Sequence, residues 1–525
     1  MTDRVAMAAL RERLRASGEI ALIDVRDEAD YAQAQIFGSV SMPLPILEDL
    51  AVDLLPRPSV PIVILDEEPG LASSAATVLL EMGYSDIRLT EGGLEVWKSA
   101  GGELFEDVNV PSKAFGEWVA THKHTPLMPP DELAARVRAG EDIVILDARP
   151  FDEYSTMSIP GGISAPGAEL LLRAPAVVAS ERTHIVVNCA GRTRSIIGAQ
   201  SLIDAGISNP VSALENGTIG WSLAGLELAK GAASVAPRLA DEALAGARVM
   251  AAEVARRAGV VSIDGPALAT MISYLDRTTY AFDVRTPDEY RAFHAAGFAS
   301  APGGQLVQAL DEFVAVRNAR ILIVDHDGVR APMTAAWLRQ IGQADTFIVP
   351  FDEMAAGAWQ QPPCAAAAIA PGVPLDEARK RLSEGAVVLD LTISRLYEAQ
   401  HLPGAWFLSR ARIEQDAHRL PASSDFLVTS PRGKAACACL AALKSLLPHA
   451  RIEALAGGTQ AWIEAELPTD NAARSCNAAS PLNDSYKRPY LGTNNSREAM
   501  RNYIDWELQL VDQVERDGIA GFSLI

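Results

Sequence analysis

Val186-Val187-Asn188-Cys189-Ala190-Gly191-Arg192-Thr193-Arg194-Ser195 reads as the end of a strand, a short loop and the start of a helix. His184 to Asn188 carries the continuous apolar pattern of a strand covered on both faces. The helix expected from near Ser195 ends at Gly206, a natural left-handed cap. Upstream, Ile143-Val144-Ile145-Leu146 is a second apolar strand that ends at Asp147. Tyr154 follows seven residues after that Asp, Gly161 seven residues later, and Cys189 twenty-eight beyond. The same ruler applies at Asp24, Tyr31, Gly38 and Asp66, and again at Asp283, Tyr290, Gly297 and Asp325. A fourth copy runs Asp390, Tyr397, Gly404, then Ser430 after a gap of twenty-six. Each copy closes on a tryptophan: Trp97, Trp221, Trp359 and Trp462. Spacing repeated four times defines a structural unit. Strands alternating with helices imply an α/β fold with a mostly parallel sheet and helices on both faces.

A chain of 525 residues is too long for a single core. The repeat divides it into 1–104, 125–230, 258–362 and 372–469, with a tail, 470–525, that fits no repeat. Within the tail Ser496 to Val514 reads as helical, with a role either in covering a site or in pairing two copies as a homodimer. The stretch from Leu239 to Ala258 reads as a rigid helical spacer. Lys and Arg number 46 against 67 Asp and Glu, a net charge of -21. That balance argues against nucleic acid, which needs clustered cations. No apolar run is long enough to span a membrane, and the N-terminus has no signal-peptide layout. Five cysteines with no metal-type spacing argue against a disulfide framework and a metal site, and favour a reducing cytoplasm.

Cys189 stands at the carboxyl edge of the sheet, where open α/β sheets bind ligands. The loop Ala190, Gly191, Arg192, Thr193 and Arg194 can turn successive N–H groups inward as an anion cradle. A helix N-terminus and two arginines beside it favour thiolate over thiol, so a low-pKa, reactive Cys189 is expected. Arg149 lies on the same edge, with a salt bridge to a carboxylate as its competing role. Asp147 either closes backbone at the strand end or takes part in the site. Cys437 and Cys439 read as core packing, and Cys364 and Cys476 fall in a linker and the tail. Tyr154 and Trp221 recur in copies without a cysteine, so packing accounts for both.

Asp147-Ala148-Arg149, Glu153-Tyr154, Ile159-Pro160-Gly161-Gly162, Cys189 to Arg194 and the Gly217 to Trp221 element together resemble the rhodanese family. The resemblance implies four tandem modules, each with a five-stranded sheet, of which only the second is catalytic. It implies a sulfurtransferase without a cofactor, in which Cys189 takes a sulfane sulfur from thiosulfate or a similar donor as a persulfide. The acceptor would be a thiol, cyanide or another protein. By the same resemblance, the backbone of Ala190 to Arg194 would stabilise the persulfide, and Arg149 and Arg194 would orient the anionic leaving group. The related phosphatases and arsenate reductases have five residues between Cys and Arg, where four stand here, which ranks them below a sulfurtransferase. A non-catalytic sulfur carrier or scaffold is the remaining alternative. In the other modules Asp66 and Asp325 put negative charge where an anion would bind, and Ser430 has no thiol, so these are structural, regulatory or docking units. Tandem members of the family often pair an inert module with an active one. That habit pairs modules one with two and three with four, and turns the Cys189 mouth towards module one.

Overall fold

The computed structural model describes residues 3–68, 70–351, 371–490, 492 and 495–525. Trp359 and Cys364 lie outside them, as does part of the linker expected before Val373. Four separate sheets are present. In the second the order is Leu127–Met128, Val211–Leu214, His184–Asn188, Ile143–Asp147 and Ile163–Ser164, all parallel. The first and third sheets repeat that order, the third from Val261–Ser262 at one edge to Ala299–Ser300 at the other. In the fourth, Asn477–Ala478 from the tail joins the edge beside Trp406–Phe407.

The recurring residues have recurring physical jobs. Each tyrosine hydroxyl donates to a carbonyl eight residues on: Tyr31 to Ser39, Tyr154 to Gly162 and Tyr290 to Phe298 at 2.8 Å, Tyr397 to Ala405 at 2.7 Å. The turn between them needs a left-handed residue, with φ of 76°, 80°, 82° and 68° at Gly38, Gly161, Gly297 and Gly404. Indole N–H groups of Trp97, Trp221 and Trp462 each donate to a carbonyl six residues on. In the first three modules the strand-end Asp grips the Arg two residues later: Asp24 with Arg26, Asp147 with Arg149, Asp283 with Arg285. Asp390 has Thr392 there instead, and among the described residues only the Thr392 N–H reaches its carboxylate.

The modules do not pair in chain order. Among the described residues no side-chain hydrogen bond joins modules one and two directly, or three and four. Module one binds module three: Glu19 receives Arg57 and Arg277, and the Tyr280 hydroxyl donates to the Leu54 carbonyl at 2.6 Å. Strand Val316–Arg317 of module three pairs antiparallel with Ile20–Asp24, adding a sixth strand to the first sheet. Module one also binds module four through Glu48 and Arg410. Module two packs on module three so closely that a Cβ on Gly304 would lie 3.1 Å from the Gly167 nitrogen.

The segments between modules are part of the core. Helix Val110–Lys123 buries Phe115 and Val119 in an apolar cluster shared by modules one, two and three. Helix Asp241–Arg257, expected as a spacer, buries Ala247, Ala251 and Val254 in the same cluster. The tail forms two helices, Arg497–Glu507 and Leu510–Asp517. The second seats Leu510 and Val514 in the core of module one, and Phe522 packs on Phe37 and Phe115. No described helix is long and apolar enough to cross a membrane.

Candidate active site

Cys189 follows the central strand of the second sheet, and helix Thr193–Ala205 leaves the loop after Arg192. Two bonds pin the loop from outside: Thr218 N–H donates to the Cys189 carbonyl at 2.9 Å and Ile219 N–H to the Ala190 carbonyl at 3.0 Å. Gly217 makes this approach possible, since a Cβ there would lie 2.3 Å from the Cys189 oxygen. With those carbonyls tied back, the loop N–H groups are left to the inner side. Among the described residues none accepts a hydrogen bond from the backbone N–H of Ala190, Gly191, Arg192, Thr193 or Arg194.

The corresponding loops of modules three and four are occupied by carboxylates. Asp325 accepts from the N–H groups of Gly328, Val329 and Ala331 at 2.7–3.1 Å. In module four the carboxylate comes from module one: Asp49 accepts from the N–H groups of Arg432 and Lys434, both at 3.1 Å. Asp66 in module one pairs with Arg4 at 2.7 Å, and Glu67 accepts from the Leu94 N–H at 2.5 Å. The cradle is thus a feature of the fold: module three fills it with its own carboxylate, module four with one from module one, and the module-one loop carries Asp66 and Glu67.

The charge state expected for Cys189 is not what its surroundings support. Its side chain is 2 % exposed, and the thiol donates to the Ser195 hydroxyl at 3.5 Å. Burial pushes the thiol above its ordinary value, and the carboxylate of Glu507 adds to the effect. Arg194 and the Ser195 hydrogen bonds oppose it and are outweighed. The arginines are less effective than their proximity suggests because each is paired. Arg192 meets Glu117 through two bonds of 2.7 and 2.8 Å, and donates to Asn216 at 2.9 Å. Arg194 meets both oxygens of Glu153 at 2.8 Å. Arg149 sits at the expected sheet edge but gives Nε and Nη2 to Asp147 and Nη2 also to the Met157 carbonyl. Arg26 and Arg285 make the same bonds in modules without a cysteine, so this grip holds the fold. Asp147, also bonded by Asn188 at 2.9 Å, is likewise a strand-end clasp.

The mouth faces neither solvent nor module one. Gly116 of the linker helix lies against Thr193, and the tail covers the rest. Tyr490, Tyr503 and Ile504 pack on Ala190 and Ile219. Tyr503 lies 3.1 Å from the point a Cβ on Gly191 would occupy, so a larger residue there would have to push the tyrosine ring back. The Thr193 hydroxyl donates to Glu507 at 3.0 Å. The Lys113 ammonium sits about 5 Å from the rings of Tyr490, Tyr503 and Trp506 and pairs with Asp107 at 2.8 Å. Lys113, Glu117, Tyr490, Tyr503 and Glu507 escaped the sequence reading. Their only local signal is that two buried charges share one face of a helix that reads as a linker.

A single thiol in a cradle of unused backbone donors, on a parallel sheet repeated four times, defines the class. The rhodanese-like domain family matches residues 7–100, 129–224 and 374–465. The chain belongs to the rhodanese family. A crystal structure of a thiosulfate sulfurtransferase from Pseudomonas aeruginosa is 45 % identical with a TM-score of 0.87, covering 100 % of both chains. A thiosulfate sulfurtransferase GlpE from Pseudomonas fluorescens is 32 % identical over 90 residues, 17 % of this chain and 78 % of that protein. An HTH-type transcriptional regulator from Mycobacterium tuberculosis is 37 % identical over 101 residues, 19 % of this chain. The chain spans only 43 % of that regulator's length.

Proposed function

We propose that the protein is a sulfurtransferase with one catalytic centre, Cys189, which carries sulfur as a persulfide. The observation that carries this reading is the contrast between loops: only the second has a thiol, and among the described residues its N–H groups have no acceptor, whereas carboxylates take loop N–H groups in modules three and four. The thiosulfate sulfurtransferases among its relatives support the same class. The Cys189 thiolate attacks the outer sulfur of a donor such as thiosulfate. A new S–S bond forms, the old one breaks, and sulfite leaves with its electron pair. The N–H groups of Ala190 to Arg194 hold the resulting persulfide anion. A thiolate or cyanide then attacks the terminal sulfur, and Cys189 leaves as thiolate. Asp147 and Arg149 hold the strand end beneath the loop, since their bonds recur in modules that carry no thiol.

Intact-mass measurement after a thiosulfate pulse tests the reading. Wild type is expected to gain one sulfur atom and Cys189→Ser none. Hydrolysis of an aryl phosphate without sulfur transfer would point to a phosphatase instead. The closed mouth favours one second reading, a relay that takes sulfur only from a partner protein. Turnover with small donors and acceptors alone would count against it.

A further inference from the structure

Modules one and three and the end of the tail enclose a cleft of about 330 Å³, the size of a small-molecule site. The Cys189 loop takes no part in its lining. Its apolar walls come from each part: Phe37 of module one, Val314 and Ile341 of module three, and Phe522 of the tail. Arg317, Gln343 and Asp311 also line it, and each has a buried atom without a hydrogen-bond partner: Nε, Oε1 and Oδ1 respectively. The Arg317 Nη2 donates to the Ile519 carbonyl at 3.0 Å, and among the described residues no carboxylate forms an ion pair with this guanidinium. Burial works against its charge, and only Asp517 supports it. The other cation of the cleft, Arg15, is committed to the tail carbonyls of Gly518 and Asp517 at 3.2 and 3.0 Å. Buried polar groups in a folded protein are ordinarily satisfied, so unmet ones grouped around one cleft point to a bound partner.

We propose that this cleft is a binding site for a free α-amino acid with an apolar side chain. The unmet groups are a cationic donor and two acceptors, one of them acidic. A ligand carboxylate accepts from Arg317 Nε and supplies the missing counter-charge. A ligand ammonium offers donors to Gln343 and Asp311. The apolar side chain displaces water from the walls formed by Phe37, Ile341 and Phe522. An inorganic anion would answer Arg317 alone and face Asp311. A wholly apolar ligand would bury every unmet group for good. Residues 518–522 form one wall, on the same tail whose helix Arg497–Glu507 covers Cys189. The bound amino acid therefore also helps to hold that cover in place. The site stands apart from the reaction proposed at Cys189.

Calorimetric titration of the full chain with L-leucine tests the site. Leucinamide, which lacks the carboxylate, and isocaproate, which lacks the ammonium, are the control probes. Leucine is expected to bind with a Kd of about 1 mM or tighter. Each control should bind at least about tenfold more weakly, since each drops a charge-assisted hydrogen bond. Hydrogen exchange read by mass spectrometry gives the location. With leucine at about ten times its Kd, exchange across residues 518–522 should slow about tenfold, and peptides of module four should keep their rates. No binding of leucine up to about 10 mM, protection confined to other segments, or a control that matches leucine overturns the proposal, and none of these needs a variant to fold. Arg317→Gln should abolish the protection. Gln343→Met, which keeps the length but removes the acceptor, should weaken leucine and leave isocaproate unchanged. A folded Arg317→Gln or Gln343→Met protein that binds leucine like wild type overturns it as well. Sulfur loading of Cys189 after a thiosulfate pulse is read separately, so either result can fail without the other.

Discussion

Arg192 and Glu117 form a two-bond ion pair of 2.7 and 2.8 Å with both side chains about 5 % exposed, and this pair ties the Cys189 loop to the linker helix. Removing one partner leaves a buried charge uncompensated, which costs about 3–5 kcal/mol. Glu117→Ala is therefore expected to lower the urea midpoint strongly. Glu117→Ala with Arg192→Met should recover much of the loss, because neither charge then remains. Equal loss in single and double variants would mean that the pair does not act as a unit.

Gly217 offers a sharper cut at the same loop. Its φ is 54°, and an added Cβ would meet the Cys189, Gly191 and Ala190 backbone at 2.3–2.9 Å. Gly217→Ala must displace the loop, and a loss of more than about 2 kcal/mol is expected together with loss of persulfide formation. Gly225→Ala, at a left-handed position with open space around it, serves as the comparison. It should cost about 1 kcal/mol and leave sulfur transfer intact.

The thiol itself sets a kinetic expectation. Because burial holds Cys189 protonated beyond the ordinary thiol range, its alkylation by iodoacetamide at neutral pH should be at least about tenfold slower than that of free cysteine. The rate should keep climbing with pH beyond the point where free cysteine levels off. A fast, pH-independent reaction at neutrality would show a thiolate already formed.

Asp390 carries a pH signature of its own. Buried without an arginine partner, its carboxyl is raised to about 7 by desolvation, with Asp49 adding and the Thr392 N–H opposing. A carboxyl whose folded value is raised favours the folded state while protonated. That contribution is complete below the unfolded value near 4 and is lost as pH rises to about 7. Asp390→Asn should match wild type near pH 4 and melt higher than wild type at pH 8. An unchanged difference across that range would place the titration elsewhere.

Asp49 is the bond between modules one and four most open to test. Asp49→Ala removes the acceptor for the Arg432 and Lys434 N–H groups, each charge-assisted bond being worth about 1.5–3 kcal/mol. Limited proteolysis should then release the fourth module more readily, with sulfur loading of Cys189 unchanged.

Much of one module could be read from its own residues. The Asp, Tyr and Gly of each copy act within about fifteen residues of one another, through a strand end, a hydroxyl-to-carbonyl bond and a left-handed turn. Such local jobs leave a fixed spacing, so the fourfold α/β unit and the position of Cys189 at its strand end were legible. Arg149 takes the salt bridge that was its competing role, for a related reason. The Asp-x-Arg pattern recurs in modules one and three, where it clasps the strand end without any thiol to serve.

What tertiary structure alone decided is the environment of that cysteine. Glu507 stands 314 residues from Thr193, Asp49 stands 385 from Lys434, and Glu117 stands 75 from Arg192. No spacing rule links residues so far apart, because their contact depends on how whole modules pack. Isolated from its neighbours, the loop has the donors and cations to keep sulfur ionised. Packing the linker helix and tail over it removes water and pairs those cations with carboxylates, and desolvation then outweighs the remaining positive charge.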